Sequence, residues 1–317
     1  MCSISVVIPL YNKEETITRA LKSVLKQKLE PREIIIVNDG STDNSLKRLG
    51  SIVDNRIRII NQENKGVSGA RNAGIIAARG QYIAFLDADD EWLPDYLSTI
   101  KELINLYPSA IVYGTRYYKK YDGDSLIVSK LKGLKFDTTS GIIENYFEVC
   151  NNSDPPLWTS AVTVAREELN CLNGFPDDIR AGEDLLTWAR LSLKGEIAYS
   201  RTPCAIYYQP QFNPLLQPPD NIDFVGDELL KLKKNARNQE EEVELLRYLG
   251  NWHKMRAALY LITNQRQLAK RELIKSVTYS GLRIKTVIYF TLLLLPVKLR
   301  YTLLFNHGIF RFQRNLK

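Results

Sequence analysis

Three carboxylates follow one apolar segment of this 317-residue chain. Residues 82–90 read YIAFLDADD, so a segment with strand character is followed at once by Asp87, Asp89 and Asp90. Carboxylates this close repel one another and raise each other's pKa. A hard divalent cation with oxygen ligands removes that conflict and can also hold a diphosphate. The spacing therefore indicates a candidate cation site, and the alternative is a solvated acidic turn that caps the next helix.

A second pair of carboxylates, Glu183 and Asp184, opens a segment with a broad apolar helical face at residues 185–191. Acidic residues in a first turn complement the helix macrodipole, which is one explanation of the pair. A carboxylate can also accept the proton of an attacking hydroxyl, which is the other explanation. The residues alone leave both explanations open.

Three earlier segments place polar residues where predicted strands end. Residues 3–15 (SISVVIPLYNKEE) run from an apolar strand into a polar turn, and residues 33–43 (EIIIVNDGSTD) end a strand at Asp39. Runs of branched aliphatics are typical of parallel strands covered on both faces, and open α/β sheets bind ligands at the strand ends. Residues 64–74 contain three glycines, and Arg71 is predicted on the first turn of a helix, where anions are favoured.

The elements that must position these residues alternate between strand and helix. Strands are predicted at 3–9, 33–38, 57–61, 82–86 and 110–115, and helices at 16–26, 43–49, 68–78 and 95–106. This rhythm predicts a mostly parallel sheet with helices on both faces. Residues 116–160 are either loops that shape an acceptor site or a variable surface excursion. A strand is predicted to return at 158–165, and residues 223–276 are predicted to be helical.

The order and spacing of these segments closely resemble the family 2 glycosyltransferases of the GT-A fold, over about the first 210 residues. The resemblance implies an α/β, Rossmann-like sheet followed by a helical C-terminal region. It also implies that the opening strand and turn hold a nucleotide base, with Tyr11 against a uracil or guanine ring. The predicted nucleotide-sugar-binding residues are Pro9, Tyr11, Asn12, Glu14, Asp39, Arg71, Asp87 and Ala88.

The same resemblance implies individual roles for four of the charged residues. Asp39 would hydrogen-bond the base, and Arg71 would assist with base or phosphate. Asp87 would face the ribose, and Asp89 would ligate Mg2+ or Mn2+. Asp89 is thus the predicted metal ligand.

The implied reaction is a single in-line displacement that inverts the anomeric carbon. The acceptor hydroxyl must lose its proton as it attacks, and by resemblance Asp184 is the general base with Glu183 beside it. A metal on Asp89 would neutralise the departing nucleoside diphosphate. We expect a metal-dependent hexosyl- or N-acetylhexosaminyltransferase that uses a nucleotide-diphospho-sugar, with a UDP-sugar as first expectation. Its acceptor would be a glycan or a lipid-linked glycan in cell-surface glycan synthesis.

The predicted organisation has four parts. Residues 1–115 form the nucleotide-sugar-binding half, and residues 116–222 form the acceptor-binding and catalytic half of the same domain. A helical extension follows at 223–280. Residues 281–317 are a basic apolar tail.

The formal net charge of +7 comes from this tail. The first 280 residues balance to zero, because residues 281–317 contain no acidic residue and seven cations: Arg283, Lys285, Lys298, Arg300, Arg311, Arg314 and Lys317. Because residues 1–280 have no excess of positive charge, nucleic-acid binding is disfavoured. The apolar run at 286–297 is shorter than the about 20 residues of a membrane-spanning helix. It favours a helix in the interface of an anionic leaflet, and a helix packed in a core or a homodimer is the alternative.

Four dispersed cysteines without Cys-x-x-Cys spacing or a signal peptide indicate reduced thiols and a cytoplasmic location, with peripheral contact at the inner face of the membrane. The two histidines lie far from any second His or Cys, which disfavours zinc sites and histidine-dependent triads. The lack of a Walker-type loop after the first strand disfavours nucleotidyl transfer. A non-catalytic nucleotide-binding or membrane scaffold protein is the alternative function, although such a protein has no need of both acidic pairs.

Overall fold

The structure is a computed structural model that describes residues 3–50, 52–121, 125–177, 179, 181–209, 218–220 and 222–306. The chain divides into two compact units. The first, which we call the sheet unit, comprises residues 1–120 and 125–208, and the second, the helical unit, comprises residues 121–124 and 209–317. The division into a nucleotide-sugar-binding half at 1–115 and an acceptor-binding half at 116–222 stays a prediction.

In the part of the sheet unit that the structure describes, ten strands form one sheet. The strands are β1 (Ile4–Leu10), β2 (Glu33–Asp39), β3 (Ile57–Gln62), β4 (Tyr82–Phe85), β5 (Glu91–Trp92), β6 (Val112–Lys120), β7 (Leu126–Val128), β8 (Ser140–Ile142), β9 (Val162–Ala165) and β10 (Ile197–Tyr208). Their order is β3-β2-β1-β4-β9-β6-β10-β5, while β7 pairs with β6 and β8 pairs with β10.

The long strands run mostly in one direction. β3, β2, β1 and β4 are parallel neighbours, β9 is antiparallel to both β4 and β6, and β6 is parallel to β10. Because β4 and β6 both oppose β9, β6 and β10 point the same way as the first four strands. The predicted mostly parallel sheet is therefore confirmed. The carboxyl ends of β1, β2 and β4 lie at one edge, which is where such sheets bind ligands.

Helices cover both faces of the sheet, as predicted. They are α1 (Ile17–Leu25), α2 (Ser45–Leu49), α3 (Gly66–Ala77), α4 (Tyr96–Leu106), α5 (Tyr146–Asn152), α6 (Arg166–Cys171) and α7 (Glu183–Lys194). On one face, Val6 of β1 belongs to a buried cluster with Leu21 of α1 and Ile100 of α4. On the other face, Val7 approaches α3 so closely that a Cβ on Gly74 would clash with it. Burial on both faces explains why β1 and β2 are continuously apolar.

The elements predicted in the first 115 residues are present, with small shifts in their bounds. One shift matters for the site: α3 begins at Gly66, so Arg71 lies on its second turn rather than on its first. The predicted strand at 158–165 begins as a 3-10 turn, Thr159–Ala161, and continues as β9. The sequence pattern misses β10, because Pro203 lies inside it and the register shifts around that proline.

The helical unit confirms the predicted helical C-terminal region. Its helices are α8 (Phe224–Lys231), α9 (Gln239–Ile262), α10 (Arg266–Ser280), α11 (Ile284–Leu294) and α12 (Val297–Asn306). Leu261 of α9, Leu273 of α10 and Leu292 of α11 meet in one buried cluster. Among the described residues, none of the helices combines the length and the apolar character that crossing a membrane requires.

Arg300 differs from the exposed tail cation that the sequence suggests. Its side chain is buried, Nη1 donates to the Leu261 carbonyl oxygen (3.1 Å), and Nη2 donates to Asn264 Oδ1 (2.6 Å). A cation at the carboxyl end of α9 satisfies carbonyl groups that the helix leaves unpaired. The expectation that Arg300 faces a membrane is therefore wrong. Three other tail cations lie outside the described residues: Arg311, Arg314 and Lys317.

Candidate active site

A cavity of about 390 Å³ opens at the carboxyl edge of the sheet. Its walls come from the loops after β1, β2 and β4 and from the start of α3. The lining residues are Pro9, Leu10, Tyr11, Lys13, Asp39, Asn64, Gly66, Val67, Ala70, Arg71, Asp87, Ala88 and Asp89. The structure thus brings together seven residues predicted to bind donor or metal: Pro9, Tyr11, Asp39, Arg71, Asp87, Ala88 and Asp89.

Asn12 and Glu14, which were also predicted to bind the donor, are not among these lining residues. Asn12 Oδ1 accepts a hydrogen bond from the Thr42 backbone N–H (2.8 Å), and Glu14 Oε2 accepts from the Asn44 backbone N–H (2.8 Å). These bonds hold the loop after β1 against the loop after β2. Asn12 and Glu14 therefore act on the cavity through the positions of its loops, and direct donor contacts stay a prediction.

Asp39 ends β2 as a buried carboxylate beside the cavity. Its Oδ1 accepts hydrogen bonds from Gln62 Nε2 (2.7 Å) and from the Lys65 backbone N–H (2.8 Å). Gln62 ends β3 and Lys65 precedes α3, so the carboxylate is fixed between these two elements. Both bonds use the same oxygen, which leaves Oδ2 to meet a ligand.

The three carboxylates after β4 have different environments. Asp87 and Asp89 line the cavity, and the side chain of Asp89 is 39% exposed. Asp90 points into the protein, where its Oδ2 accepts hydrogen bonds from Ser160 Oγ (2.5 Å) and the Trp158 indole N–H (3.1 Å). Burial, and next the charges of Asp89 and Asp87, raise the pKa of Asp90 well above its usual value. Asp90 therefore anchors the turn, and Asp87 and Asp89 face the cavity.

Lys13 is a site residue that sequence reasoning missed. Its Nζ lies 2.6 Å from Asp89 Oδ2, and it lines the cavity. Arg19 Nη2 donates to the main-chain oxygen of Asp89 (2.5 Å). Because the Lys13–Asp89 pair is partly exposed to solvent, a phosphate that enters the cavity can compete for the ammonium. The available signal was a cation directly after the polar turn of Tyr11 and Asn12.

Arg71 connects the two carboxylate clusters. Its side chain is 4% exposed, Nη2 donates to Asp87 Oδ1 (2.9 Å), and Nη1 donates to Glu183 Oε1 (3.0 Å). Burial disfavours the charged guanidinium and lowers its pKa. The negative charges of Asp87, Glu183 and Asp184 together outweigh burial, so the pKa of Arg71 is raised. The guanidinium also lies over the Phe175 ring, 5.1 Å from its centroid. Arg71 is a buried bridge, and its predicted contact with base or phosphate stays a prediction.

Glu183 and Asp184 open α7 directly after Gly182, whose φ of 89° lies in the left-handed region that favours glycine. Burial and then the charge of Asp184 raise the pKa of Glu183 to about 7, while Arg71 opposes them. Asp184 is less buried, and its Oδ2 lies 3.4 Å from the Thr159 hydroxyl. Burial also raises the pKa of Asp184, again opposed by Arg71. The result is a coupled pair of carboxylates, one tied to Arg71 and one partly accessible.

The helical unit contains a second group of potential metal ligands. Oxygen or nitrogen atoms of Asp223, His253 and Glu272 lie close enough together to hold a cation. However, Arg256 Nε lies 3.4 Å from Asp223 Oδ2 and 3.3 Å from Glu272 Oε2, so a guanidinium already occupies the position facing these oxygens. We therefore take the cavity of the sheet unit, with its converging charged groups, as the candidate active site.

Comparison with known proteins places this site in a family context. Residues 5–154 match the family model described as glycosyl transferase family 2. A protein of Rickettsia conorii named "Uncharacterized glycosyltransferase RC0461" is 34% identical over 197 residues, which is 61% of this chain and 31% of the relative. The chain spans no more than 31% of the length of this and two further curated relatives from Rickettsia.

Two solved structures share the fold. S. aureus TarS 1-349 in complex with UDP-GlcNAc superposes with a TM-score of 0.60 at 17% identity and covers 91% of both chains. The mannosyltransferase PcManGT from Pyrobaculum calidifontis, in complex with GDP-Man and Mn2+, gives a TM-score of 0.56 at 15% identity over 95% of this chain and 84% of the other. At these identities the likeness concerns the fold alone, and it confirms the predicted GT-A class.

Proposed function

We propose that this protein, whose residues 5–154 match the glycosyl transferase family 2 model, transfers a sugar from a nucleotide-diphospho-sugar to an acceptor hydroxyl with inversion at the anomeric carbon. The observation that carries the proposal is the convergence of Asp39, Asp87 and Asp89 on one cavity. Arg71 ties this cavity to the second carboxylate pair through Glu183. The two groups that the reaction needs, one for the leaving diphosphate and one for the acceptor proton, are therefore neighbours.

The donor would enter with its base at the loops after β1 and β2. The ring of Tyr11 is 48% exposed at the cavity and can lie against a base. Asp39 Oδ2 can accept a hydrogen bond from a base N–H, since the other oxygen already has two donors. TarS binds UDP-GlcNAc and PcManGT binds GDP-Man. A UDP-sugar is the first candidate for this chain.

The residues that face the diphosphate position fit a divalent cation. Asp89 offers carboxylate oxygens, which Mg2+ and Mn2+ prefer, and it already draws the cationic Lys13 Nζ to 2.6 Å. Asp89, with Asp87 beside it, would hold the ion, which when bound would neutralise the charge that gathers on the departing diphosphate. Lys13 would then turn from Asp89 towards a phosphate oxygen.

Asp184 is the better placed of the two candidate bases. Glu183 is buried and its Oε1 is engaged by Arg71, whereas Asp184 is partly exposed. A base must hold a free lone pair at the working pH and lie within hydrogen-bond reach of the acceptor hydroxyl. We assign proton abstraction to Asp184, and we assign to Glu183 the fixing of Arg71 behind it.

The acceptor and the location are inferred from the C-terminal residues. The basic, apolar C-terminal residues suggest peripheral contact with the inner face of a membrane. A transferase held there would meet lipid-linked or other cell-envelope glycans. We therefore propose a role in cell-surface glycan synthesis.

The direct test is to titrate the full-length protein with UDP-GlcNAc, UDP-glucose and GDP-mannose, with and without Mn2+, while following thermal unfolding and donor hydrolysis. A ligand at 100 times its dissociation constant stabilises the fold by about 2.7 kcal/mol. We expect one donor to stabilise the protein in a manner that depends on Mn2+. Asp89→Ala should abolish this effect, whereas Asp95→Ala, a partly exposed carboxylate that pairs with Lys28 instead, should not.

The alternatives predict different results. A non-catalytic nucleotide-binding protein would be stabilised by a donor without hydrolysing or transferring it under any acceptor condition. A protein that no nucleotide-sugar stabilises, with or without Mn2+, would contradict the proposed function.

A further inference from the structure

The carboxyl end of α10 is packed closely against the middle of α9. Ser276 Oγ donates to the Gly250 carbonyl oxygen (2.7 Å), and a Cβ on Gly250 would lie 2.5 Å from Ser280 Cβ. Only a glycine allows this approach. The residues that follow Ser280 are therefore fixed near the part of α9 on either side of Gly250.

Cations lie on both sides of this contact. Arg247 and Lys254, seven positions apart, share one face of α9. Arg283 precedes α11, where its Nε donates to the Ser280 carbonyl oxygen (3.3 Å), and Lys285 lies in the first turn of α11. We call these four residues the cation cluster. Two more of them carry polar contacts: Arg247 pairs with Glu244 (3.2 Å), and Lys254 Nζ donates to Asn251 Oδ1 (2.5 Å).

The charges of the cation cluster act on one another. Burial, and then the charges of Lys285, Arg283 and Arg247, lower the pKa of Lys254 to about 8. Burial and Arg247 lower the pKa of Arg283, and Glu244 opposes them. Glu244 pairs with Arg247 at the edge of the cluster. Bound anionic groups would relieve this repulsion.

Exposed apolar side chains alternate with the cations. Leu282 is 68% exposed and Ile284 is 82% exposed, on either side of Arg283. No acidic residue occurs between Glu272 and the end of the chain at residue 317. A soluble anion would contact the cations but would leave Leu282 and Ile284 in water. A bilayer surface provides phosphates for the cations and acyl chains for the apolar side chains.

We propose that Arg247, Lys254, Arg283 and Lys285, together with Leu282 and Ile284, form a docking site for the phosphate headgroups of an anionic membrane. The cations bind lipid phosphates, and the two apolar side chains enter the headgroup region. This site deepens the membrane location proposed above, but it is independent of the nucleotide cavity. In contrast to the buried Arg300, Lys285 is exposed, and Arg247, Lys254 and Arg283 are half-buried.

The test is co-sedimentation of the full-length protein with vesicles of phosphatidylcholine alone and with about 30 mol% phosphatidylglycerol, at low and high salt. We expect salt-sensitive binding to the anionic vesicles only. The variant Lys254→Gln/Arg283→Gln/Lys285→Gln should bind about 100-fold more weakly, because each cation near an anionic surface contributes about fivefold to the affinity. Lys234→Gln/Lys270→Gln/Arg271→Gln removes the same charge from exposed positions of the helical unit and should bind nearly as the parent does.

Two further arms identify the source of the phosphate and the part played by the apolar residues. Leu282→Ser/Ile284→Ser should weaken vesicle binding and make the remainder more sensitive to salt. Excess glycerol 3-phosphate, a soluble headgroup probe, should not displace the protein from vesicles. Thermal melting of each variant, with and without the donor and Mn2+, shows whether both units remain folded.

Three outcomes would overturn the proposal: no binding to anionic vesicles at low salt, equal losses in the cluster variant and its charge-matched control, or displacement by glycerol 3-phosphate. None of these concerns the donor. A protein that binds vesicles but no nucleotide-sugar would instead contradict the proposed function alone.

Discussion

Each unit of this chain contains a buried arginine between two carboxylates. The two arrangements differ in how far their cationic groups offset the carboxylate charges. In the sheet unit, Arg71 meets Asp87 and Glu183, with Asp184 adjacent. In the helical unit, Arg256 meets Asp223 and Glu272. His253 Nδ1 lies 2.7 Å from the same oxygen of Glu272, which gives that carboxylate a second partner.

This difference shifts the pKa values of the two glutamates in opposite directions. Burial alone would raise the pKa of Glu272, but the hydrogen bond from His253 and the charge of Arg256 outweigh burial and lower it. Burial and then the charge of Asp184 instead raise the pKa of Glu183 to about 7, because the charge of Arg71 does not outweigh them. A cluster whose cationic partners outweigh burial contributes to the fold, whereas a cluster beside a cavity whose carboxylates remain hard to ionise can bind a substrate, a cation or a proton.

The largest expected effect concerns Asp89, which lines the cavity next to the Arg71 cluster. Asp89→Ala should abolish transfer and remove the metal dependence of donor binding, because the carboxylate that draws a cation to the cavity would be gone. Transfer assays across a range of Mn2+ concentrations measure this effect, with Asp95→Ala as the control. Normal turnover of Asp89→Ala at limiting Mn2+ would show that the metal is bound elsewhere.

The next effect separates chemistry from binding. Asp184→Asn keeps the shape of the side chain but cannot accept a proton, so transfer should slow by about 100-fold to 10,000-fold while donor and metal still bind. Single-turnover rates and calorimetric donor titrations measure the two quantities. If Asp184→Asn turns over normally and Glu183→Gln does not, the roles of the two carboxylates are exchanged.

Changing the two arginines compares the clusters directly. Arg256→Met leaves Asp223 and Glu272 without their arginine and should cost about 3 to 5 kcal/mol of stability, with donor affinity unchanged. Arg71→Met should destabilise the sheet unit and also abolish transfer. Urea unfolding and donor titration measure both variants, and Arg271→Met, at an exposed position of α10, is the control. A loss of donor affinity in folded Arg256→Met would contradict a purely structural role.

Sequence reasoning predicted the parts of this molecule that depend on local pattern. The strands β1 to β4, the helices between them and the polar residues at their ends all follow from apolar period and turn chemistry. The bridge from Arg71 to Glu183 joins residues 112 positions apart, and no local pattern encodes such a contact. The burial of Arg300 was missed for the same reason, because its partners lie 39 and 36 positions away in the chain.

A smaller effect concerns the donor base. Asp39→Ala should raise the donor dissociation constant by the equivalent of about 1 to 3 kcal/mol, because a buried hydrogen-bond acceptor is lost. Calorimetry with donor and Mn2+ measures the change, and Asp95→Ala, whose carboxylate pairs with Lys28 and does not line the cavity, is the control. Unchanged affinity would show that Asp39 only fixes the start of α3 through Lys65.

The smallest effect is the pH dependence that the Arg71 cluster imposes. A base must be deprotonated. Burial and the charge of Asp184 raise the pKa of Glu183 to about 7, and burial and the charge of Asp87 raise the pKa of Asp184. The rate of transfer with bound donor should therefore fall as the pH is lowered, with a midpoint above the ordinary pKa of an aspartate. Glu183→Gln removes a neighbouring negative charge and leaves Arg71 with Asp87 and Asp184 as its charged partners, so the acidic limb of the profile should move to lower pH. A limb that stays in place or moves to higher pH in Glu183→Gln would show that the two carboxylates do not titrate as a coupled pair.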